Sequence, residues 1–404
     1  MSGVSIGTRF LLTTTALLSA WGCVDFNKAL DDATHKTLEC AGVPLPGDAG
    51  SVREVSTQQS HTLALRTDGT VWAWGDNSNH QLGDGTTTSR CVPKEIPGLG
   101  GILAVAAGAR HSLALRGGTV LAWGDIGASQ EPSIPTEIKG LSNVAAIAAG
   151  DGYSLARLQD GTVWAWGTNR SGQLGDGTTM DRGEPRQVAD LTGVVFIAAG
   201  STHALALTQD GKVWAWGENG AGQLGDGTKA VQTRPVLVRG LPPLTYSTGS
   251  VFSPLAGSLR HSLAVDASGK VWAWGSNDSG QLGNGGSGGE STSPLEVTGL
   301  RNAVSVAAGA QHSMALIKED NEIFSWGGGG EGQLGASLLV QDSFTPVKVL
   351  DLTNARSIAA GYKHSLAVTS EDKLYSWGAC DKGQCGNSSL LRSTVPLSVP
   401  LPLP

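Results

Sequence analysis

Six histidines have the widest chemical range in this sequence, because a neutral imidazole can accept a proton near neutral pH or coordinate a transition metal. Each opens a short apolar run with similar neighbours: His61, His111, His203, His261, His312 and His364. Catalytic and metal sites need side chains that converge, whereas equivalent positions of separate repeats generally do not. We therefore expect each histidine to make a structural hydrogen bond at a strand start. His80 lies in a loop and has no evident partner.

Three aspartates raise the question of calcium. Asp84, Asp176 and Asp226 each stand directly before a Gly at the end of a Gly-rich loop. Calcium loops alternate their acidic ligands along the chain, whereas an Asp followed at once by Gly is typical of a turn. We expect turn residues here and no metal site. Serine-hydrolase, P-loop and dinucleotide-binding motifs are also missing, so we expect neither an enzyme nor a cofactor.

Cysteines offer a second kind of chemistry. Without Cys23 the chain keeps an even set: Cys40, Cys91, Cys380 and Cys385. Cys380 and Cys385 lie five residues apart in one loop and are able to close a small disulfide. Free thiols are the alternative, and zinc fits less well because no further ligands stand at the usual spacing.

The amino terminus has the features of a targeting segment. Arg9 precedes a modest apolar stretch that is too short to span a bilayer and suits a secretory signal. The stretch ends in Ala20-Trp21-Gly22-Cys23, which resembles a bacterial lipobox, although Ala20 and Trp21 depart from the usual pattern. We therefore expect a signal peptide over residues 1–23, with lipidation of Cys23 as a membrane-surface anchor. The alternatives are ordinary secretion, or no signal, with Cys23 a bystander. Residues 24–51 have the composition of an acidic, Pro/Gly-containing tether.

Composition excludes several classes of protein. The 404 residues include 58 Gly and 12 Trp, and so much Gly argues against long helices. A net charge of −7 and no basic run argue against a nucleic-acid partner. With 40% hydrophobic residues the chain still supports a packed core.

A repeat of roughly 50 residues organises the chain from residue 52 onward. Its landmark is a Trp-Gly step, found seven times, at Trp74, Trp123, Trp166, Trp216, Trp274, Trp326 and Trp377. Around each landmark come a small apolar run closing in Gly, a His-led run, a tight turn and the Trp-bearing run. A polar Gly-rich loop and, in most units, a Pro-led strand follow.

These parts predict an all-β fold without long helices. Short apolar runs bounded by Gly and Pro are typical of strands, and the Asp-Gly turns predict type I′ hairpins. Small Ala in the first strand suits a crowded axis, and large Trp in the third strand suits wider spacing. We therefore expect a seven-bladed β-propeller over residues 52–404, with a solenoid as the alternative. The terminal segment Pro396–Val399 is a candidate to complete the first blade.

The repeat resembles that of the regulator of chromosome condensation family. The resemblance rests on the His-Ser-Leu-Ala-Leu run, the Trp-Gly-x-Asn step and Gly-Gln-Leu-Gly, which recurs at 172–175, 222–225, 280–283 and 332–335. It covers residues 52 to about 400 and implies a seven-bladed propeller. The second unit lacks the Gly-Gln-Leu-Gly loop. In the seventh unit Cys380 and Cys385 replace the loop Asn and Leu, which favours a disulfide.

Four aromatic residues that depart from the repeat are candidate contacts for a partner. They are Tyr153, which stands in place of a repeat His, Tyr246, Phe252 and Tyr362. Loops on a rigid scaffold often carry binding residues, and aromatic side chains often anchor interfaces. The alternative for Tyr246 and Phe252 is that they pin a long connection to the disc.

Two functions remain. The first is a non-enzymatic scaffold in the cell envelope or outside the cell, lipid-anchored, that binds an unknown protein through propeller loops. The resemblance supports it, because the family includes secreted propellers that bind proteins by a loop face. The second is guanine-nucleotide exchange on a small GTPase, as in the family's eukaryotic namesake. That reaction needs an intracellular partner, whereas the amino terminus favours export.

Overall fold

The chain folds into seven antiparallel sheets of four strands each, and every strand pairs with its neighbour in sequence. The structure is a computed structural model that describes residues 51–246, 252–337, 341–387 and 391–401. All the strands lie within residues 52–398. No helix is found in the described ranges, hence none that is able to cross a membrane. The fold is the predicted seven-bladed β-propeller, and each sheet is one blade.

Strand bounds follow the repeat. The first strands are β1 (Val52–Thr57), β5 (Ala104–Ala107), β9 (Val144–Ala149), β13 (Val194–Ala199), β17 (Leu255–Gly257), β21 (Ala303–Ala308) and β25 (Ala355–Ala360). The second strands are β2 (His61–Arg66), β6 (His111–Arg116), β10 (Tyr153–Leu158), β14 (His203–Thr208), β18 (His261–Val265), β22 (His312–Ile317) and β26 (His364–Thr369). The third strands are β3 (Val71–Gly75), β7 (Thr119–Gly124), β11 (Val163–Gly167), β15 (Val213–Gly217), β19 (Val271–Ser276), β23 (Ile323–Gly328) and β27 (Leu374–Ala379). The fourth strands are β4 (Arg90–Glu95), β8 (Thr136–Glu137), β12 (Arg182–Gln187), β16 (Gln232–Leu237), β20 (Glu290–Glu296), β24 (Asp342–Lys348) and β28 (Arg392–Ser398).

Side-chain size decides where each strand sits. The Ala-rich first strands contact one another around the ring and are therefore innermost. Trp residues of the third strands fill the wider gaps between neighbouring blades, as Trp123 of the second blade does against Leu63 and Leu82 of the first. Truncation of such a buried Trp to Ala typically costs about 3–5 kcal/mol. The core is thus seven apolar layers, one between each pair of blades.

The hairpin turns differ from the predicted type I′. At Asp68-Gly69 only Gly69 has a positive φ, of 82°, and its amide donates to the carbonyl of Arg66. This is a type I turn followed by a left-handed residue, the three-residue solution. The predicted geometry, with both central residues at positive φ, occurs at Gly117-Gly118 instead, where φ is 56° and 86°. The prediction failed because the loop is one residue longer than Asp-Gly implies.

The terminal strand does not complete the first blade. Strand β28 pairs with β27 of its own blade, with Tyr375 opposite Ser398, and the first blade already has its four strands. The hypothesis of an exchanged strand was therefore wrong, because each blade begins and ends within one repeat.

Side-chain and backbone contacts close the ring between the last blade and the first. The amide of Tyr362 donates to the carbonyl of Gln59 at 3.1 Å. Beneath it, Leu366 and Val368 pack with Val52 and Trp74 in one buried cluster.

One hydrogen-bonded set, here called the latch, joins neighbouring blades. It consists of a second-strand His and a loop Gln carbonyl of one blade, with a second-strand Ser and third-strand Trp of the next. Between the fifth and sixth blades His261 Nε2 lies 2.9 Å from Ser313 Oγ. Ser313 Oγ donates to the Gln281 carbonyl at 2.8 Å, and Trp326 Nε1 donates to the same oxygen at 2.9 Å. Complete latches also join His61, Gln81, Ser112 and Trp123; His203, Gln223, Ser262 and Trp274; and His312, Gln333, Ser365 and Trp377. The histidines thus have the structural role expected of them.

Tyr153 belongs to this buried system and is not a surface anchor. Its side chain is fully buried at the position of the repeat His, and its hydroxyl donates to the carbonyls of Gly200 and His203 in the next blade. Burial raises the pKa of Tyr153 well above its usual value. Ala204 replaces the latch Ser opposite it, so the phenol makes contacts that no imidazole would make there. The expectation of partner binding by Tyr153 was therefore wrong.

The latch fixes the position of the proton on its histidines. Because the Ser hydroxyl donates its proton to the Gln carbonyl, it must accept one from Nε2, so Nε2 carries a hydrogen and the tautomer protonated only at Nδ1 is excluded. Burial lowers the pKa of His61, His111, His261, His312 and His364 to about 3 and that of His203 to about 4.

Acid should therefore weaken the ring. In the unfolded chain each His takes up a proton near its ordinary pKa, whereas the folded chain resists it, so stability is lost as the pH falls from about 6.5. Glu54 acts in the opposite direction, because burial raises its pKa to about 7. The net proton uptake of the six histidines, less the opposing contribution of Glu54, gives a slope of about 6 kcal/mol per pH unit near pH 5.5. Guanidinium unfolding between pH 7 and pH 5 measures it, and an equal free energy at both ends would contradict the latch assignment. His312→Gln should reduce the slope of unfolding free energy against pH by the contribution of one histidine.

Rebuilding the ordinary latch between the third and fourth blades tests its energetics. Tyr153→His alone would leave a buried imidazole N–H facing Ala204, at a cost of about 1–3 kcal/mol. Adding Ala204→Ser supplies the missing hydroxyl beside the Gln173 carbonyl, which already accepts from Trp216 Nε1 at 2.9 Å. We expect the double variant to recover at least half of the loss in urea unfolding, with Ala204→Ser alone as control. A double variant no more stable than the single one would refute this pairing.

Candidate functional site

One end of the ring carries the turns between first and second strands and the loops between third and fourth strands. His61 at the start of a second strand lies opposite Gly75 at the end of a third strand, so the turns before the one and the loops after the other share a face. We call this end the loop face. Its turns are residues 58–60, 108–110, 150–152, 200–202, 258–260, 309–311 and 361–363. Its loops are residues 76–89, 125–135, 168–181, 218–231, 277–289, 329–341 and 380–391, of which 338–340 and 388–390 lie outside the described residues.

A buried Asn holds four of these loops in one shape. Asn169 Oδ1 accepts the Leu174 amide at 3.0 Å, and Asn169 Nδ2 donates to Asp176 Oδ1 at 3.3 Å and to the Thr178 carbonyl at 3.1 Å. The same Asn-to-Leu bond is made by Asn77, Asn219 and Asn277. One side chain therefore spans each loop and presents the Gln carbonyl to the latch.

The loop aspartates complete this bracing. Asp176 accepts hydrogen bonds from Thr178 Oγ1 at 2.7 Å and from Arg182 Nε at 2.9 Å. At Asp84 burial opposes ionisation, but hydrogen bonds from Thr86 and Arg90 outweigh it and lower the pKa to about 2. The aspartate oxygens therefore accept hydrogen bonds that hold the turn. The described ranges contain no cluster of three metal-ligating side chains.

A disulfide takes the place of the Asn brace in the last blade. Cys380 and Cys385 occupy the positions of the loop Asn and Leu, with Cα atoms 5.1 Å apart, and the structure joins them. The loop they close contains Gln384, whose carbonyl accepts Trp74 Nε1 across the closing seam at 2.9 Å. The covalent bond therefore joins the same two loop positions that the Asn side chain joins in other loops. It lies at the interface between the last and the first blade, which no chain segment crosses.

Of the remaining aromatic candidates, only Tyr362 is presented to solvent. Tyr246 is half-buried, with its ring edge-to-face on Phe196 at 5.1 Å, and burial raises its pKa. Phe252 packs against the apolar layer that contains Met314. These two residues flank the connection between the fourth and fifth blades, and their packing matches the pinning role. Tyr362 lies in a turn of the loop face and is 40% exposed. The four candidates therefore do not form one site.

Five apolar side chains on or beside the loop face were missed from the sequence. Four stand in its polar loops and one in the adjacent outer strand β24: Ile134, Met180, Val231, Leu391 and Phe344. With Tyr362, five of the ten large apolar side chains exposed in the described ranges lie on the loop face, and Phe344 lies beside it. Isolated apolar residues in polar loops carry no periodic signal, although a comparison of equivalent loop positions would have shown them.

Ion pairs also connect the blades at this face. Arg110 of the second blade lies 3.1 Å from Asp125 in its own loop and 3.3 Å from Asp151 in the third blade. Lys363 and Glu331 make a similar pair at 3.3 Å. Each pair is partly exposed and worth about 0–1 kcal/mol, so they orient loops more than they stabilise the ring.

Comparison with known proteins identifies the repeat. The model described as the regulator of chromosome condensation (RCC1) repeat matches residues 68–115, 160–207, 210–252, 268–316 and 320–368, and a second model of that repeat matches five further segments.

Two curated proteins illustrate the range of similar sequences. The chain is 33% identical over 375 residues to the ultraviolet-B receptor UVR8 of Arabidopsis thaliana, covering 91% of this chain and 62% of that protein. It is 34% identical over 353 residues to the human E3 ubiquitin-protein ligase HERC2, covering 85% of this chain and 5% of that protein. The chain thus spans less than two thirds of either relative.

Solved structures agree on the fold. Human WBSCR16 superposes with a TM-score of 0.72 at 22% identity, covering 82% of this chain and 94% of that one. Prp20p of Saccharomyces cerevisiae superposes with a TM-score of 0.72 at 24% identity, covering 87% of this chain and 88% of that one. Since the repeat model matches more than half of the sequence and the seven blades follow the repeat, the chain belongs to the regulator of chromosome condensation repeat family.

Proposed function

We propose that this protein is a non-enzymatic scaffold that binds a partner protein on its loop face, and that it is exported and lipid-anchored through Cys23. The observation that carries the proposal is the set of exposed apolar side chains on that face, five of ten in the described ranges, with Phe344 of strand β24 beside them. Exposed apolar residues on loops fixed by a rigid scaffold are typical of protein-binding surfaces.

The state of the ionisable groups supports binding over catalysis. A general base needs an accessible group that titrates near the working pH. Here the repeat histidines are buried and neutral, and the loop aspartates are occupied by Thr, Asn and Arg. The face offers shape and apolar contacts, which suits an interaction surface.

Export and anchoring rest on the sequence of the amino terminus. Residues 1–23, with Cys23, and nearly all of the tether lie outside the described residues. Their support is the apolar stretch after Arg9 and the lipobox-like end. The Cys380–Cys385 disulfide adds to it, because disulfides persist in oxidising compartments such as the periplasm or the cell surface. A location in the cell envelope or outside the cell follows.

Site-specific photocross-linking in intact cells tests the binding face. A photoreactive residue at Met180 or Phe344 should give a discrete adduct, while the same residue at Leu103 or Leu350, which are also exposed but lie at the other end, should give none. Adding Val231→Glu should reduce the loop-face adduct by about tenfold, as loss of an interface contact does. Adducts of equal yield at both ends would contradict the assigned face.

Fractionation tests the anchor. Wild type should sediment with membranes, and Cys23→Ser should release it, because acyl chains on one Cys are the only anchor proposed. A soluble cytoplasmic wild type unaffected by Cys23→Ser would contradict export and favour the nucleotide-exchange alternative.

The contribution of the disulfide can be compared with that of the Asn brace found in other loops. Reduction, or Cys380→Ala with Cys385→Ala, should lower stability by about 2–4 kcal/mol, because a covalent brace at the closing seam is lost. Cys380→Asn with Cys385→Leu restores the brace of the other loops and should recover most of this, while losing sensitivity to reductant at this loop. Thiol alkylation with mass spectrometry checks the bond itself, and free thiols at both positions in exported protein would contradict it.

A further inference from the structure

One indole of the ring lacks the partner that its six equivalents have. The side chains of Trp74, Trp123, Trp216, Trp274, Trp326 and Trp377 each donate to a loop Gln carbonyl at 2.8–2.9 Å. Trp166 is just as buried, 1% exposed, yet its Nε1 has no hydrogen-bond partner. A buried N–H without an acceptor costs free energy, and such an exception in a folded protein requires an explanation.

The cause is the short loop of the second blade. In the first blade residues 76–89 separate the third and fourth strands, whereas in the second blade the amide of Gly124 already bonds to the carbonyl of Pro132. No Gly-Gln-Leu-Gly segment fits in this span. Ile126 instead packs in the same apolar layer as Trp166, so this loop contributes a hydrocarbon side chain to the layer and no acceptor for the indole.

The same loop is held in an unfavourable backbone conformation. Ala128 and Ser129 both have positive φ, of 50° and 64°, in a tight turn closed by Ile126 and Gln130. Two such residues in succession make the type I′ geometry that Asn-Gly adopts readily and that Ala-Ser resists. Strained turns of this kind cluster at functional sites, and here the strain lies in the same loop as Ile126, which shares the apolar layer of the unpartnered indole.

We propose that the loop of residues 125–131 is the docking point for an extended Gln-Leu-Gly-like segment of the partner protein, whose backbone carbonyl accepts the hydrogen bond from Trp166 Nε1. The inference rests on the proposed scaffold function and locates its contact. Docking displaces Ile126 from the indole and releases the strained turn.

The six native loops define the chemistry of the occupant. Each brings a backbone carbonyl and, two residues later, a Gly against the indole. A Cβ on Gly175 would lie 2.8 Å from Trp216 Nε1, so a side chain at that position would overlap the ring. Arg110 is paired with Asp125 and Asp151 beside the loop, and the exposed Glu131 is acidic, so neither side chain favours an acidic ligand. The native loops define the occupant as an uncharged segment with Gly after its apolar residue.

Indole nitrogen NMR of the full chain tests the proposal. The probe is the blocked peptide Ser-Gly-Gln-Leu-Gly, the sequence of residues 171–175, and Trp166→Phe assigns the Trp166 signal. We expect the peptide to shift that signal downfield, as formation of an N–H hydrogen bond does. A peptide with Ala in place of the last Gly should bind at least about tenfold more weakly. No shift at Trp166, or shifts only at other indoles, would overturn the proposal.

Two variants separate docking at this loop from non-specific binding. Ala128→Asn with Ser129→Gly relieves the turn, so it should raise stability and weaken the peptide by about threefold to tenfold. Replacing residues 125–131 with the sequence of 168–181 supplies the missing carbonyl and should abolish the shift at Trp166. Peptide binding unchanged by both variants would overturn the docking point. Photocross-links that persist in the loop replacement would also overturn it, but would leave the loop-face scaffold standing.

Discussion

The hydrogen bond between a Trp indole and the loop carbonyl of the preceding blade is the constraint on which the ring depends. Four strands satisfy their own backbone groups within each sheet, but nothing in sheet pairing fixes the distance or register between sheets. A buried indole N–H and an imidazole N–H need acceptors, and in each complete latch those acceptors belong to the neighbouring blade. Apolar packing supplies most of the stabilisation, while the latch selects one arrangement of blades. The closing seam shows this most clearly, since Trp74 and Gln384 meet there although no chain segment connects the last blade directly to the first.

Departures from the repeat are tolerated where another group restores the same connection. Tyr153 replaces an imidazole and reaches two carbonyls of the next blade, which makes the hydroxyl lost at Ala204 unnecessary. Cys380 and Cys385 replace an amide brace with a covalent one. At Trp166 the structure offers no replacement. An exception without compensation inside the chain is better explained by a role outside it.

The sequence was sufficient for the repeat, the strand order and the blade count, because Trp spacing and apolar runs report local structure directly. It was insufficient where the answer depended on what a residue faces. Tyr153 resembled a surface anchor because it broke the pattern, although its position, equivalent to a buried His, pointed inward. The blade that the terminal strand joins was not deducible, because a periodic sequence does not show where one sheet ends and the next begins. Exposed apolar residues such as Met180 were missed because single side chains carry no period.

The loops that present the proposed binding surface are also the loops that hold the ring together. Each Gln carbonyl that accepts an indole N–H lies within a few residues of the solvent-exposed positions of its own loop. A ligand that binds only the folded arrangement stabilises it by mass action. A partner protein that binds two adjacent loops would therefore stabilise the blade interface beneath them. The interface between the second and third blades is the one where the indole lacks its acceptor, so a partner that supplied one would add the missing hydrogen bond there. Recognition and ring stability are in this view two consequences of one set of loop contacts.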